Sequence, residues 1–75
     1  MPKLPRVSGK ELLRALERAG FRVEHTTGSH ATMYHPGSDR TTTVPLHRST
    51  LPVGLTAGIL RQAGLDTEDL RALLK

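Results

Sequence analysis

A chain of 75 residues with one Phe, one Tyr, no Trp and no Cys must build its core from Leu, Val, Ile, Ala and Met, and at this length it buries only about 60 % of the surface its unfolded form exposes. The lack of Cys excludes disulfide staples and thiolate zinc sites, no apolar run is long enough to span a bilayer, and "MPKLPRVSGK" lacks the apolar stretch of a secretory signal, so the expectation is a soluble, cytoplasmic protein. The formal net charge of +4 falls wholly within residues 1–48, with Arg favoured over Lys throughout, and suits nucleic acid, an anionic membrane or an acidic protein surface.

"SGKE" at residues 8–11 is a capping-box pattern, in which Ser8 and Glu11 satisfy each other's backbone amides, and Leu12, Leu13, Leu16 and Ala19 follow at helical spacing. Gly20 supplies a left-handed stop with Phe21 placed for the hydrophobic contact beyond it, so a helix is expected over residues 9–19. In "FRVEHT" Phe21 and Val23 alternate with Arg22 and Glu24 as a half-buried strand would. Thr27, Gly28 and Ser29 then turn the chain into a second strand, "HATMYH". "PGSD" has strong turn chemistry and leads to a third strand, "RTTTVPL", which Pro45 stops from pairing on one side.

From Leu51 the period lengthens. Leu51, Leu55, Ile59 and Leu60 make an apolar face, Pro52 suits a first helical turn, and Gly64 stops the helix. "DTEDLRALLK" begins with acidic and hydroxyl residues, as a helix start prefers, and offers Leu70, Leu73 and Leu74 to the core. The order is α-β-β-β-α with a small extra helix: one α+β domain over residues 1–75, a three-stranded antiparallel sheet with helices on one face.

The motifs "GSH" at 28–30, "HPGSDR" at 35–40, "VPLH" at 44–47, "LPVG" at 51–54 and "ILRQAGL" at 59–65, behind an opening "VSGKELLRALERAGF", resemble in order and spacing the HicA, or YcfA-like, family. That resemblance implies a fold like a double-stranded-RNA-binding domain and an mRNA-cleaving toxin held by a HicB antitoxin. It also implies that the histidine of the Gly-Ser-His motif, His30, is catalytic. Val53 stands where the family commonly carries a basic residue.

The chemistry of the residues agrees with that implication. Cleavage of RNA by its own 2′-hydroxyl needs a base for that proton and an acid for the leaving 5′-oxygen, and imidazole, with a reference pKa of about 6.5, serves in either role without a cofactor or metal. Gly28 lets backbone approach a phosphate, Ser29 offers a hydroxyl or amide to a non-bridging oxygen, and Lys10, Arg40 and Arg48 are the cations expected to grip the RNA backbone. His47, closing "VPLH", is either a site residue or a plain strand end, while His25 and His35 read as solvent-facing or turn-supporting. Lys10, Arg14 and Arg18 form a helical stripe in which Glu11 and Glu17 are interleaved, the pattern of a solvated face, and Tyr34 either stacks on a base or packs at the sheet edge. Beside the endoribonuclease stand two alternatives: a non-catalytic RNA-binding module of the same fold, and a metal site requiring three of the four histidines to converge.

Overall fold

The structure is a computed structural model that describes residues 3–75. Helix α1 (Gly9–Arg18) leads into strands β1 (Arg22–Thr27), β2 (His30–His35) and β3 (Arg40–Pro45), then helices α2 (Val53–Ala63) and α3 (Thr67–Leu73). The strands form one antiparallel sheet in the order β1-β2-β3. Ala31, Met33, Thr42 and Val44 point from the sheet into a core shared with Leu12 and Leu16 of α1, Ile59 and Leu60 of α2 and Leu70 of α3. Thr32, Thr41 and Thr43, on the alternate positions, leave the other face polar.

Most helix ends fall where the sequence marks them, although α2 starts at Val53, with Pro52 as its N-cap and Leu51 ahead of it. Ser8 N–H donates to Glu11 Oε1 at 2.8 Å and Glu11 N–H to Ser8 Oγ at 3.1 Å, closing the capping box. At the other end Gly20, with φ of 102°, lets Phe21 N–H reach Leu16 O at 3.0 Å and Gly20 N–H reach Glu17 O at 3.0 Å, the paired bonds of a Schellman stop. Gly64, with φ of 76°, ends α2, and a reciprocal pair between Asp66 and Asp69, 2.9 Å each way, starts α3.

Two expectations about burial are corrected. Strand β1 is exposed along its whole length, Val23 included at 40 %, and Phe21 is buried ahead of the strand and not within it. The cause is local: the register of β1 with β2 slips between Val23 and His25, so that Glu24 is bulged out and the inside–outside alternation restarts. In α2 the buried stripe is Thr56, Ile59, Leu60 and Ala63, and Leu55 is 40 % exposed. Thr56 takes the inner position because its hydroxyl donates to Pro52 O at 3.3 Å, which removes the cost of burying it.

No helix among the described residues is long and apolar enough to cross a membrane.

Candidate active site

The β1–β2 connection is two residues long, Gly28 and Ser29, flanked by the pair Thr27 and His30. Gly28 takes φ of 49°, the left-handed first position that a two-residue hairpin needs to match strand twist, and open space surrounds the place where a Cβ would lie. Its demonstrable role is therefore conformational. His30 opens β2 on the exposed side of the sheet, opposite Pro45 at the end of β3. The pairing runs one bond further, with Leu46 N–H donating to Ser29 O at 2.6 Å, and the chain then delivers His47 beside the hairpin.

Two imidazoles thus meet at one end of the sheet. The rings of His30 and His47 lie 6.1 Å apart between centroids, tilted edge to face at 62°. Ser29 Oγ stands 3.0 Å from His30 Nδ1, which fixes the ring and leaves Nε2 as the nitrogen available to a substrate. A hydroxyl can donate or accept. Ser29 can accordingly hold Nδ1 when that atom is a bare acceptor and also when it carries a proton.

The segment bearing His47 is held from below by the start of α1. Gly9 is buried against it so closely that a Cβ there would fall 1.9 Å from Pro45 O and 3.0 Å from Leu46 Cα, and Gly9 N–H donates to Arg48 O at 3.2 Å. Lys10 and Arg48 are exposed on the two sides of that contact. The helix start itself offers little to an anion, because Ser8 and Glu11 occupy each other's amides. The two hydrogen bonds from Ser8, the backbone one foremost, hold the Glu11 carboxyl below its ordinary pKa and keep it charged. Attraction for a phosphate at this end must come from Lys10 and Arg48.

The expected cation set is only partly assembled. Arg40 begins β3 opposite His35, five residues from Pro45 and so about 17 Å of strand away from His30 at roughly 3.4 Å per residue. It stretches over the end of α2, with Nη1 3.4 Å from Gln62 O, where a cation offsets the helix dipole. Arg40 therefore does not share a phosphate with His30. Arg18 is likewise taken out of the α1 stripe, donating from Nη1 to Leu73 O at 2.7 Å, at the end of α3, and to Lys75 O at 3.0 Å, just past it. What the sequence reading missed was Gly9, whose only advance signal was a glycine placed inside the first turn of an otherwise strong helix.

The other two histidines are elsewhere. His35 Nδ1 accepts from Ser38 N–H at 2.9 Å, and its ring lies 5.0 Å from that of Phe21, so it supports the "PGSD" turn. His25 sits on the exposed edge strand opposite Thr32. Among the described residues no three His, Cys, Asp or Glu side chains are grouped as a metal would need. Tyr34 donates to Asp39 Oδ1 at 2.9 Å, with the Arg22 guanidinium carbon 6.0 Å from its ring centroid.

Compared with known families, residues 9–65 match the one described as HicA toxin of bacterial toxin–antitoxin, well over half of the chain. No curated protein matches the sequence.

Proposed function

The chain belongs to the HicA toxin family, the toxin half of a toxin–antitoxin system with a cognate antitoxin, and from that premise we propose that it is a metal-independent endoribonuclease that cuts mRNA with His30 as its catalytic residue. The observation that carries this reading is the setting of His30. It is exposed at a hairpin end, its Nδ1 is held by Ser29 at 3.0 Å, and exposed Lys10 and Arg48 flank the neighbouring segment. In the reaction the RNA 2′-hydroxyl attacks the adjacent phosphorus as its proton passes to Nε2 of His30. The bond to the 5′-oxygen breaks and that oxygen takes up a proton from an acid or from water, leaving a 2′,3′-cyclic phosphate and a 5′-hydroxyl. As Nε2 gains the proton, Nδ1–H donates to Ser29 Oγ. Lys10 and Arg48 hold the phosphate backbone, with Gly28 and Ser29 against the scissile group and His47 beside it. Residues 1–75 act together as one such domain.

The antitoxin, HicB-like on this reading, covers the His30 end with an acidic surface, since charges placed for phosphate also steer an acidic partner. The test uses a labelled transcript. Wild type should cut it in EDTA, His30→Ala should bind it and leave it intact, and the cognate antitoxin should release it. RNA bound and never cut by wild type would make this a binding module, and RNA still cut in the antitoxin complex would defeat occlusion.

A further inference from the structure

We infer that His47 is a second catalytic residue, the general acid that protonates the leaving 5′-oxygen while His30 serves as the base; this rests on the ribonuclease reading above. In an in-line displacement the entering and leaving oxygens stand on opposite sides of phosphorus, and an acid or base must come within about 3 Å of the proton it moves. One imidazole cannot occupy both places in one step. The two imidazoles, with centroids 6.1 Å apart and tilted edge to face, are both exposed side by side, so a phosphodiester laid across the pair can meet one ring on the side of its 2′-oxygen and the other on the side of its 5′-oxygen.

The neighbourhood offers no better acid. Beside the imidazoles stand a guanidinium, an ammonium and a hydroxyl, group types that are poor proton donors at neutral pH. Only imidazole exchanges protons readily near neutrality. Of the three other histidines, His35 is committed to Ser38 and Phe21, and His25 lies on the edge strand, which leaves His47 alone beside His30. The arrangement is also built and not incidental. The Leu46 N–H to Ser29 O bond ties the two histidine segments to each other, and buried Gly9 admits the backbone contact that supports the second of them.

The step balances within the pair. His30 Nε2 takes the 2′-hydroxyl proton as the P–O2′ bond forms, and His47 gives its proton to the 5′-oxygen as the P–O5′ bond breaks. The net change is one proton moved from His47 to His30, which exchange with water reverses before the next turnover.

The deciding experiment compares RNA with a substrate whose bridging 5′-oxygen is replaced by sulfur, a leaving group that needs no protonation. On RNA, His47→Ala should lower the saturating rate by about 10²–10⁴-fold, the ordinary contribution of one acid–base group, with RNA affinity little changed. On the sulfur substrate the same variant should run close to wild type, whereas His30→Ala should stay slow on both. A His47→Ala deficit equal on both substrates, or one that appears only in affinity, overturns the inference while leaving His30 in place. A wild-type chain that cuts neither substrate overturns the ribonuclease reading and this inference together.

Discussion

The two ends of the sheet carry similar residues in opposite states of engagement. At the far end His35, Tyr34, Asp39 and Arg40 bind one another's neighbourhood: His35 accepts from Ser38, Tyr34 donates to Asp39, and Arg40 closes the end of α2. At the near end His30, His47, Lys10 and Arg48 are exposed, and the side-chain contacts found there are the Ser29 hydroxyl on His30 and the edge of one imidazole against the other. A histidine or an arginine is thus not informative by type. What separates a structural group from one available for chemistry is whether the fold has already used its polar atoms.

The sharpest way to break that contrast is to exchange the losses. His35→Ala should cost about 1 kcal/mol of stability, from the Ser38 hydrogen bond and the Phe21 contact, and Arg40→Ala about 0.3–1 kcal/mol. Both should cut RNA at the wild-type rate, against the near-complete loss expected of His30→Ala at unchanged stability. Chemical denaturation alongside cleavage assays measures both quantities, and a far-end variant that folds normally yet fails to cut would erase the distinction between the ends.

Gly9→Ala should affect both properties together. A Cβ at 1.9 Å from Pro45 O forces the 45–48 segment away from α1, at a cost of about 1–3 kcal/mol for overpacking a close contact. The same displacement moves His47 relative to His30. Cleavage should fall further than the loss of folded protein explains, and a Gly9→Ala chain with full activity and an unshifted melting temperature would show that the near end is not held from below.

The smallest effect lies at the far end and concerns proton binding. The hydrogen bond to the Asp39 carboxylate, with some desolvation and the nearby negative charges, raises the Tyr34 pKa, outweighing Arg22, which lowers it. A folded pKa above the unfolded one means that the associated stability is present below the unfolded pKa and lost as pH rises through the folded value. Tyr34 is the only tyrosine, and there is no Trp, so alkaline ultraviolet titration reads this one phenol. Its midpoint should lie above the usual phenol range in wild type and drop in Asp39→Asn. An identical midpoint in the two proteins would mean that the Tyr34–Asp39 bond is not formed in solution.

Much of this architecture is legible in the sequence because its signals are local. The Ser8–Glu11 box, the glycine stops at Gly20 and Gly64 and the two hairpin turns each depend on a few adjacent residues, and each is found where expected. The place of His30 at the start of β2 was reachable through its motif and its turn. What could not be read are facts of packing between distant segments: that Gly9 lies under Pro45, that Arg18 and Arg40 end helices distant from them in sequence, and that Thr56 rather than Leu55 faces inward. The bulge at Glu24 is intermediate, since one inserted residue reverses the alternation of β1 without leaving a mark in composition.

The contact at Gly9 also bears on how the chain is born. The two imidazoles belong to segments seventeen residues apart, and the support beneath the second comes from the first residue of α1, so the arrangement joins three stretches that leave the ribosome at different times. A growing chain exposes Gly9 and His30 before the residues that complete the pair, and domains generally fold as units once their contacts can form. The near end of the sheet is therefore assembled only on completion of the fold and not on synthesis of its residues, and translation leaves an interval before that in which the cognate antitoxin can already be waiting.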